Sequence, residues 1–469
     1  MTTDDPTPLS RRERRTQTAD TPVQADSAEA ATSRGTALGW VDPDALPAAP
    51  TRTAGFELLP PLRAPRRRVD ARVVVFPSIA VGGLAIAYTA SMLLWPLSAV
   101  EPAVTATEVT ALRAPASSID WPEEGTAAVA VSGFSPAAST DEADRLASIT
   151  KLVTALVVLD AAPLAVGEQG PAYTFDFADR QEYWQYISGN QSALNVPDDG
   201  SLSEYQMLQG MLIASASNYA DRLATEAFGS IDDYAAAANT WLADNGLEGI
   251  TVTDASGFDR GNEATPEAMI ALAEKALANP VIAEIVATRS AELPGAGEFE
   301  NTNALLGEQG VVGLKTGSYL GNYNLLAART LTVGDEDVTL IAAVTDQPTN
   351  RLRTSEAERL LDDVAAEVAA PTTLAPGTVV GNVTTAWGAS TQLVTDREAS
   401  VLLWNGATAT PAAEFDLGEE RTAGDAAGTL TLTGPVDADE VGLQQVGDLP
   451  GPDAWWRLSH PLQLLGIID

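Results

Sequence analysis

From Val73 to Val100 the chain runs without a charge, and within that stretch VVVFPSIAVGGLAIAYTASMLLW is almost continuously apolar. At 1.5 Å per residue a helix of this length crosses about 30 Å of hydrocarbon, so a transmembrane helix is predicted over residues 73–95. Its length argues against a buried core helix, and the long segment ahead of it argues against a cleaved signal peptide. Further on, LASITKLVTALVVLDAA and EYQMLQGMLIASASNYADRLATEAF place apolar residues at three-and-four spacing, the period of helices with one buried face. By contrast, GVVGLKTGSYLGNYNLLAARTLTVGDEDVTLIAAVTDQ reads as strands joined by Gly-rich turns. After PTTLAPG at 371–377, a linker signal, come the short apparent strands TVVGNVTTAW, TQLVTDREASVLLW and GTLTLTG. The pattern predicts an α+β domain over 121–370 and a small β domain over 371–469, with 96–120 as a linker. Residues 1–72, rich in Thr, Ala, Asp and Pro and without sustained apolar periodicity, are expected to be a disordered segment.

Charge narrows the function. The 469 residues carry 64 acidic and 27 basic side chains, for a net charge of −37. A surface so acidic repels phosphate backbones, so no nucleic-acid partner is expected. The chain has no cysteine, which removes thiol nucleophiles, disulfides and iron–sulfur clusters together. A single histidine, His460, lies near the C-terminus, so neither a Ser-His-Asp triad nor a His-based metal site is expected, and no metal or other cofactor is anticipated. Arg63, Arg66, Arg67, Arg68 and Arg72 precede the apolar span whereas Glu101, Glu108, Asp120, Glu123 and Glu124 follow it. The positive-inside rule then predicts a single-pass protein of the cell membrane, its N-terminus cytoplasmic and everything after about residue 100 outside.

Lysine usage points at chemistry. From Val73 onward there are 16 basic side chains against 54 acidic ones, and the chain's lysines are Lys151, Lys275 and Lys315. A group that must shed its proton to act as a base cannot be arginine. In Ser148-Ile149-Thr150-Lys151, which opens an apolar helix, Ser148 and Lys151 stand one turn apart on one face, within reach of each other. With no histidine at hand, a neutral lysine can activate the serine, and the start of the helix brings backbone N–H groups to a developing oxyanion. Lys315-Thr316-Gly317, in a predicted strand, and Ser215, after an apolar helix, are weak signals singly. Jointly they are not. S-x-x-K, a second-motif serine and K-T-G follow in the order of the penicillin-binding protein and class A β-lactamase set, at intervals of 67 and 100 residues.

With ASITKLVTALVVLD, MLIASASNYADRLA, TDASGFDRGNEATPEAM, NTNALL and GLKTGS, the region from about Trp121 to Ala365 resembles the low-molecular-weight penicillin-binding proteins, the serine D-alanyl-D-alanine carboxypeptidases of bacterial walls. The resemblance implies a β-lactamase/transpeptidase-like sheet flanked by helices. It implies peptidoglycan stem peptides as substrates and β-lactams as covalent inhibitors. Ser148 would be the nucleophile, Lys151 its base, and Ser215 a proton relay to the leaving amine. Lys315 and Thr316 would hold the terminal carboxylate beside Gly317, and the N–H groups of Ser148 and Ser318 would form the oxyanion hole. The base must have a depressed pKa, expected from burial and from Lys315 as a neighbouring cation.

One departure stands out. Where the family has Ser-x-Asn, this chain has Ser215-Ala216-Ser217, with Asn218 next. Either Asn218 takes over the substrate amide contact through a shifted backbone, or Ser217 occupies the place with a shorter side chain and turnover is slower. Two other readings remain open at this stage: a β-lactam hydrolase, for which no Glu-x-x-x-Asn sequence supplies the deacylating carboxylate, and a wall-binding scaffold with weakened or lost catalysis. Asp254, Gly257 and NTNALL (301–306) are expected to be mainly structural. The Trp- and Leu-rich C-terminus is expected to pack against the β domain.

Overall fold

The strand-rich stretch folds as the alternation of its apolar residues requires. In the computed structural model, which describes residues 71–334, 336–418 and 421–468, five strands form an antiparallel sheet. They are β1 (Ala127–Val131), β2 (Ala137–Ala138), β3 (Val311–Tyr319), β4 (Asn322–Val333) and β5 (Glu336–Gln347), in the order β3-β4-β5-β1-β2. Successive residues of a strand point to opposite faces. Ala128, Ala130, Ile341 and Ala343 therefore enter one core, while Ala127, Val129, Val131, Leu340, Ala342 and Val344 enter another on the opposite face.

Helices cover both faces. On the first lie α2 (Thr150–Ala161), α4 (Glu204–Ile213), α5 (Ser217–Phe228), α6 (Ile231–Asp244), α7 (Pro266–Ala278) and α8 (Pro280–Val286), with α3 (Phe177–Ser188) outermost. On the second lies α9 (Asn350–Glu367), whose Ala357, Leu360, Leu361 and Val364 meet the sheet. Capping side chains set several helix starts. Asp176 and Asp179 form a capping box on α3, Ser203 and Gln206 another on α4, and Thr265 caps α7 ahead of Pro266. This is the α+β, transpeptidase-like architecture that the resemblance implies.

A seven-stranded antiparallel sheet follows, with its own core of Val380, Val383, Leu393, Leu430, Leu432, Val441 and Leu443. Two of its strands come from before the catalytic domain. Ala103–Ala106 pairs with Val379–Thr384, and Leu112–Arg113 pairs with Thr408–Ala409. The 96–120 segment, expected to be a linker, thus supplies edge strands to the C-terminal sheet, and Val104, Val109 and Leu112 pack onto its core. Four- and two-residue strands are too short to show an alternating period, so their pairing is set by the sheet they join.

The apolar span forms α1 (Ala71–Leu94). Its stretch Val75–Leu94 is long and apolar enough to cross a membrane, and its side chains are almost all exposed, as those of a buried core helix are not. The segment expected to be disordered lies, up to residue 70, outside the described residues.

Candidate active site

The site is built on the turn that opens α2. Ala147–Ile149 form a single 3₁₀ turn that leads into α2, and Ala147 has a φ of +48°, a left-handed conformation that costs an alanine about 1–2 kcal/mol. The surroundings impose it. Asn262 O accepts from the N–H of Leu146, and the side-chain amide of Asn324, on β4, donates to Arg145 O at 2.6 Å. The turn leaves Ser148 partly exposed in the wall of a cleft of about 740 Å³.

Lys151, one helical turn on, is fully buried, with its Nζ 2.9 Å from Ser148 Oγ. It donates to Ser256 O at 2.5 Å, while Thr154 donates to Ala255 O at 2.6 Å. Successive turns of α2 thus grip the 254–257 loop. The loop is itself wound around Asp254, which accepts from the N–H groups of Ser256, Gly257 and Asp259. Neutral Lys151 has one lone pair and two N–H groups. With one N–H given to Ser256 O, the lone pair is available to the Ser148 hydroxyl. Burial lowers the Lys151 pKa to about 8, although the charges of Asp221 and Asp254 pull it upward. Near pH 7 roughly a tenth of the molecules then carry the free base.

Lys315 sits below the cleft floor. Its amine is buried and donates to Thr316 O at 3.0 Å, and burial together with the nearby Lys151 and Arg353 charges holds its pKa well below the usual lysine range. It does not line the cleft, where a hand on the substrate carboxylate was expected. Its neighbours Thr316, Gly317 and Ser318 do, with the Thr316 hydroxyl 2.6 Å from that of Thr302. Gly317 packs so closely on the nucleophile turn that a β-carbon would lie 2.8 Å from Leu146 O and 3.3 Å from Ser148 N. A side chain there would displace the nucleophile, which accounts for glycine in the third motif place.

The second motif resolves the Ser217–Asn218 question in the geometry. Ser215, with a φ of +64°, and Ser217, at the start of α5, both line the cleft. Asn218 does not. Its amide donates to Leu194 O at 2.8 Å and accepts from Leu194 N at 3.2 Å, stapling the 190–195 loop to α5. The expectation that Asn218 contacts substrate is therefore corrected: its amide is committed to Leu194, and the shorter Ser217 stands in the cleft.

Three residues escaped the sequence reading. Arg353, on α9, lines the cleft and donates to Gly317 O at 2.8 Å and Asn324 O at 3.2 Å. Burial lowers its pKa only to about 10, so it stays charged. Thr302, in the segment taken as structural, lines the cleft beside Thr316. Ser256, from the 254–257 loop, supplies the carbonyl that holds the base. No cluster of potential metal ligands occurs among the described residues.

Residues 136–349 match the family model described as D-alanyl-D-alanine carboxypeptidase. The match marks them as a serine D-Ala-D-Ala carboxypeptidase domain. Solved structures similar to the chain include a D-alanyl-D-alanine carboxypeptidase from Mycobacterium tuberculosis H37Rv, at 27% identity over 54% of this chain and 96% of that one, with a TM-score of 0.46. Penicillin-binding protein 5 from Haemophilus influenzae is similar at 18% identity over 70% of this chain and 99% of that one, TM-score 0.47. A Streptomyces K15 DD-transpeptidase variant is similar at 22% identity over 51% and 97%, TM-score 0.45. Among curated proteins none matches this sequence.

Proposed function

We propose that the carboxypeptidase domain works through an acyl-enzyme on Ser148. Neutral Lys151 takes the hydroxyl proton as Ser148 Oγ attacks the carbonyl carbon of the penultimate D-alanine. The N–H groups of Ser148 and Ser318 receive the oxyanion. As the C–N bond breaks, the proton passes from Lys151 by way of Ser215 to the departing amine, D-alanine leaves, and an ester on Ser148 remains. Water hydrolyses it through the same groups in reverse. Arg353 and Thr316 receive the substrate's terminal carboxylate, while Lys315 stays beneath the floor, where its amine donates to Thr316 O. The observation that carries this reading is the 2.9 Å approach of the Lys151 amine to the Ser148 hydroxyl within the cleft.

Ser148→Ala should abolish covalent labelling by a fluorescent penicillin while leaving the thermal unfolding transition in place. Peptide mass spectrometry should map the wild-type adduct to Ser148, and an adduct on another residue would sink the assignment.

The helix α1 is read as a single-pass anchor whose N-terminal end is cytoplasmic, on the strength of the arginines ahead of it and the carboxylates after it. Protease added to intact cells should then degrade the region after Glu101 and spare the segment before Pro60. A protected catalytic domain would overturn the orientation.

A further inference from the structure

The cleft is basic where the rest of the chain is acidic. Its charged lining residues are the cations Arg145, Arg260 and Arg353 and the carboxylate Asp259, in a region from residue 73 onward with 54 acidic side chains against 16 basic. Arg353 is accounted for by the substrate's terminal carboxylate; Arg145 and Arg260 are not. The low-dielectric walls of a cleft concentrate the field of such a cluster on whatever enters it.

Arg145 is held in place without being neutralised. It ends the short strand Asp144–Arg145, three residues before the nucleophile, and its guanidinium carbon lies 3.9 Å from the centre of the Tyr319 ring. The Tyr319 hydroxyl in turn donates to Asp346 at 3.3 Å, which fixes the ring as a platform. The Nε of Arg145 is buried without a hydrogen-bond partner, and among the described residues neither Arg145 nor the exposed Arg260 is in an ion pair. Asp259 spends its Oδ1 on the N–H of Gly261 at 2.8 Å and the hydroxyl of Thr253 at 2.9 Å. Those two bonds lower its pKa more than the charge of Arg145 does, so it serves its own loop first.

The course of a bound peptide brings a side chain to this place. β3 is an edge strand of its sheet, so its outer edge is free to pair with an extended peptide. With the terminal carboxylate at Thr316 and the scissile carbonyl at the Ser318 N–H, the peptide's upstream residues continue past Tyr319 and Leu320, at about 3.4 Å per residue. The residue before the two D-alanines therefore arrives beside Arg145 and Arg260. Phe258 and Leu320, 57% and 79% exposed, line the cleft as well. Apolar side chains next to guanidinium groups without ion-pair partners suit an aliphatic stem that ends in a carboxylate.

We infer that Arg145 and Arg260 form an anion subsite that selects stem peptides whose third residue from the C-terminus carries a free side-chain carboxylate, over those with an amide or an amine there. The subsite rests on the acyl-enzyme reading of Ser148 and on Arg353 as the reader of the terminal carboxylate.

The test uses the full chain and three acetylated peptides X-D-Ala-D-Ala, in which X is L-2-aminopimelic acid, its side-chain amide, or L-lysine. The three side chains share one aliphatic stem and end in a carboxylate, a neutral amide and an ammonium. Turnover, as kcat/KM, should be about 10-fold higher for the carboxylate than for the amide and lowest for the ammonium, and the preference should shrink as salt is added. Arg145→Gln and Arg260→Gln should each bring the carboxylate-to-amide ratio down toward one, and penicillin labelling shows that each variant is folded. Should Arg145→Gln not fold, the exposed Arg260 and the wild-type panel carry the test. Equal wild-type rates on acid and amide, or a preference for the lysine peptide, overturn the subsite and leave the acyl-enzyme reading standing. A ratio unchanged in the folded variants overturns it too. No turnover of any peptide, with no penicillin adduct on Ser148, overturns the acyl-enzyme reading and the subsite with it.

Discussion

Gly257 lies so close to Ala147 that a β-carbon on it would be 1.8 Å from the Ala147 carbonyl oxygen. The residue also has a φ of +79°, which side chains with a β-carbon rarely adopt. The contact joins the loop that holds Lys151 to the turn that presents Ser148, so a shift in either is felt by both reacting groups. Gly257→Ala should therefore cut kcat/KM on a D-Ala-D-Ala peptide by about 10²-fold, the usual cost of misplacing a reacting group by about 1 Å. The rate of penicillin acylation should fall in parallel. An alanine variant with native rates would show that the turn and loop move independently.

The protonation of Lys151 sets the pH dependence. Its ammonium form cannot accept the serine proton, so kcat/KM should rise with pH through an ascending limb centred near the Lys151 pKa of about 8. Asp221 stabilises the ammonium, so Asp221→Asn should move the limb to lower pH. A limb that stays fixed in Asp221→Asn would assign the titration to another group.

How much of this was legible depended on how local each feature is. Ser148 and Lys151 meet across one turn of a single helix, so spacing alone placed them together. The alternating strands of the sheet announced themselves through period two, and Gly317 through its motif. By contrast, Ser256 reaches Lys151 across 105 residues and Arg353 reaches Gly317 across 36, from a helix on the other face of the sheet. Neither contact leaves a local pattern. Asn218 was misread because its neighbours on the chain suggested a cleft role, whereas its partner, Leu194, is set by how the 190–195 loop folds back on α5. The strands 103–106 and 112–113 were hidden for a related reason: they gain their structure only from partners on the far side of the catalytic domain in sequence, Val379–Thr384 and Thr408–Ala409.

Arg353 is the cleft's buried cation, and its test separates binding from chemistry. A charge-assisted hydrogen bond to a carboxylate contributes about 1.5–3 kcal/mol, so Arg353→Gln should raise KM for a D-Ala-D-Ala peptide roughly 10- to 150-fold. A peptide amidated at its C-terminus lacks the charge and should lose far less. Equal losses on both peptides would reduce Arg353 to a support for Gly317 O.

Ser217 offers the most specific test of the departure in the second motif. It lines the cleft at the start of α5, and Asn218 is committed to Leu194, so no amide stands where related enzymes place one. Ser217→Asn should then raise kcat/KM on a D-Ala-D-Ala peptide about 5- to 50-fold, which corresponds to about 1–2.3 kcal/mol for one regained hydrogen bond. The side chain is buried, so the larger amide must extend into the open cleft rather than back among its neighbours. Asn218→Ala should behave differently. Losing both bonds to Leu194 frees a loop whose Asn190, Gln191 and Ser192 border the cleft, so it should lower the thermal midpoint and raise KM, with kcat little changed. If Ser217→Asn instead lowers activity while Asn218→Ala abolishes kcat and leaves stability intact, the amide that reads the substrate is that of Asn218, and the staple to Leu194 must open during turnover.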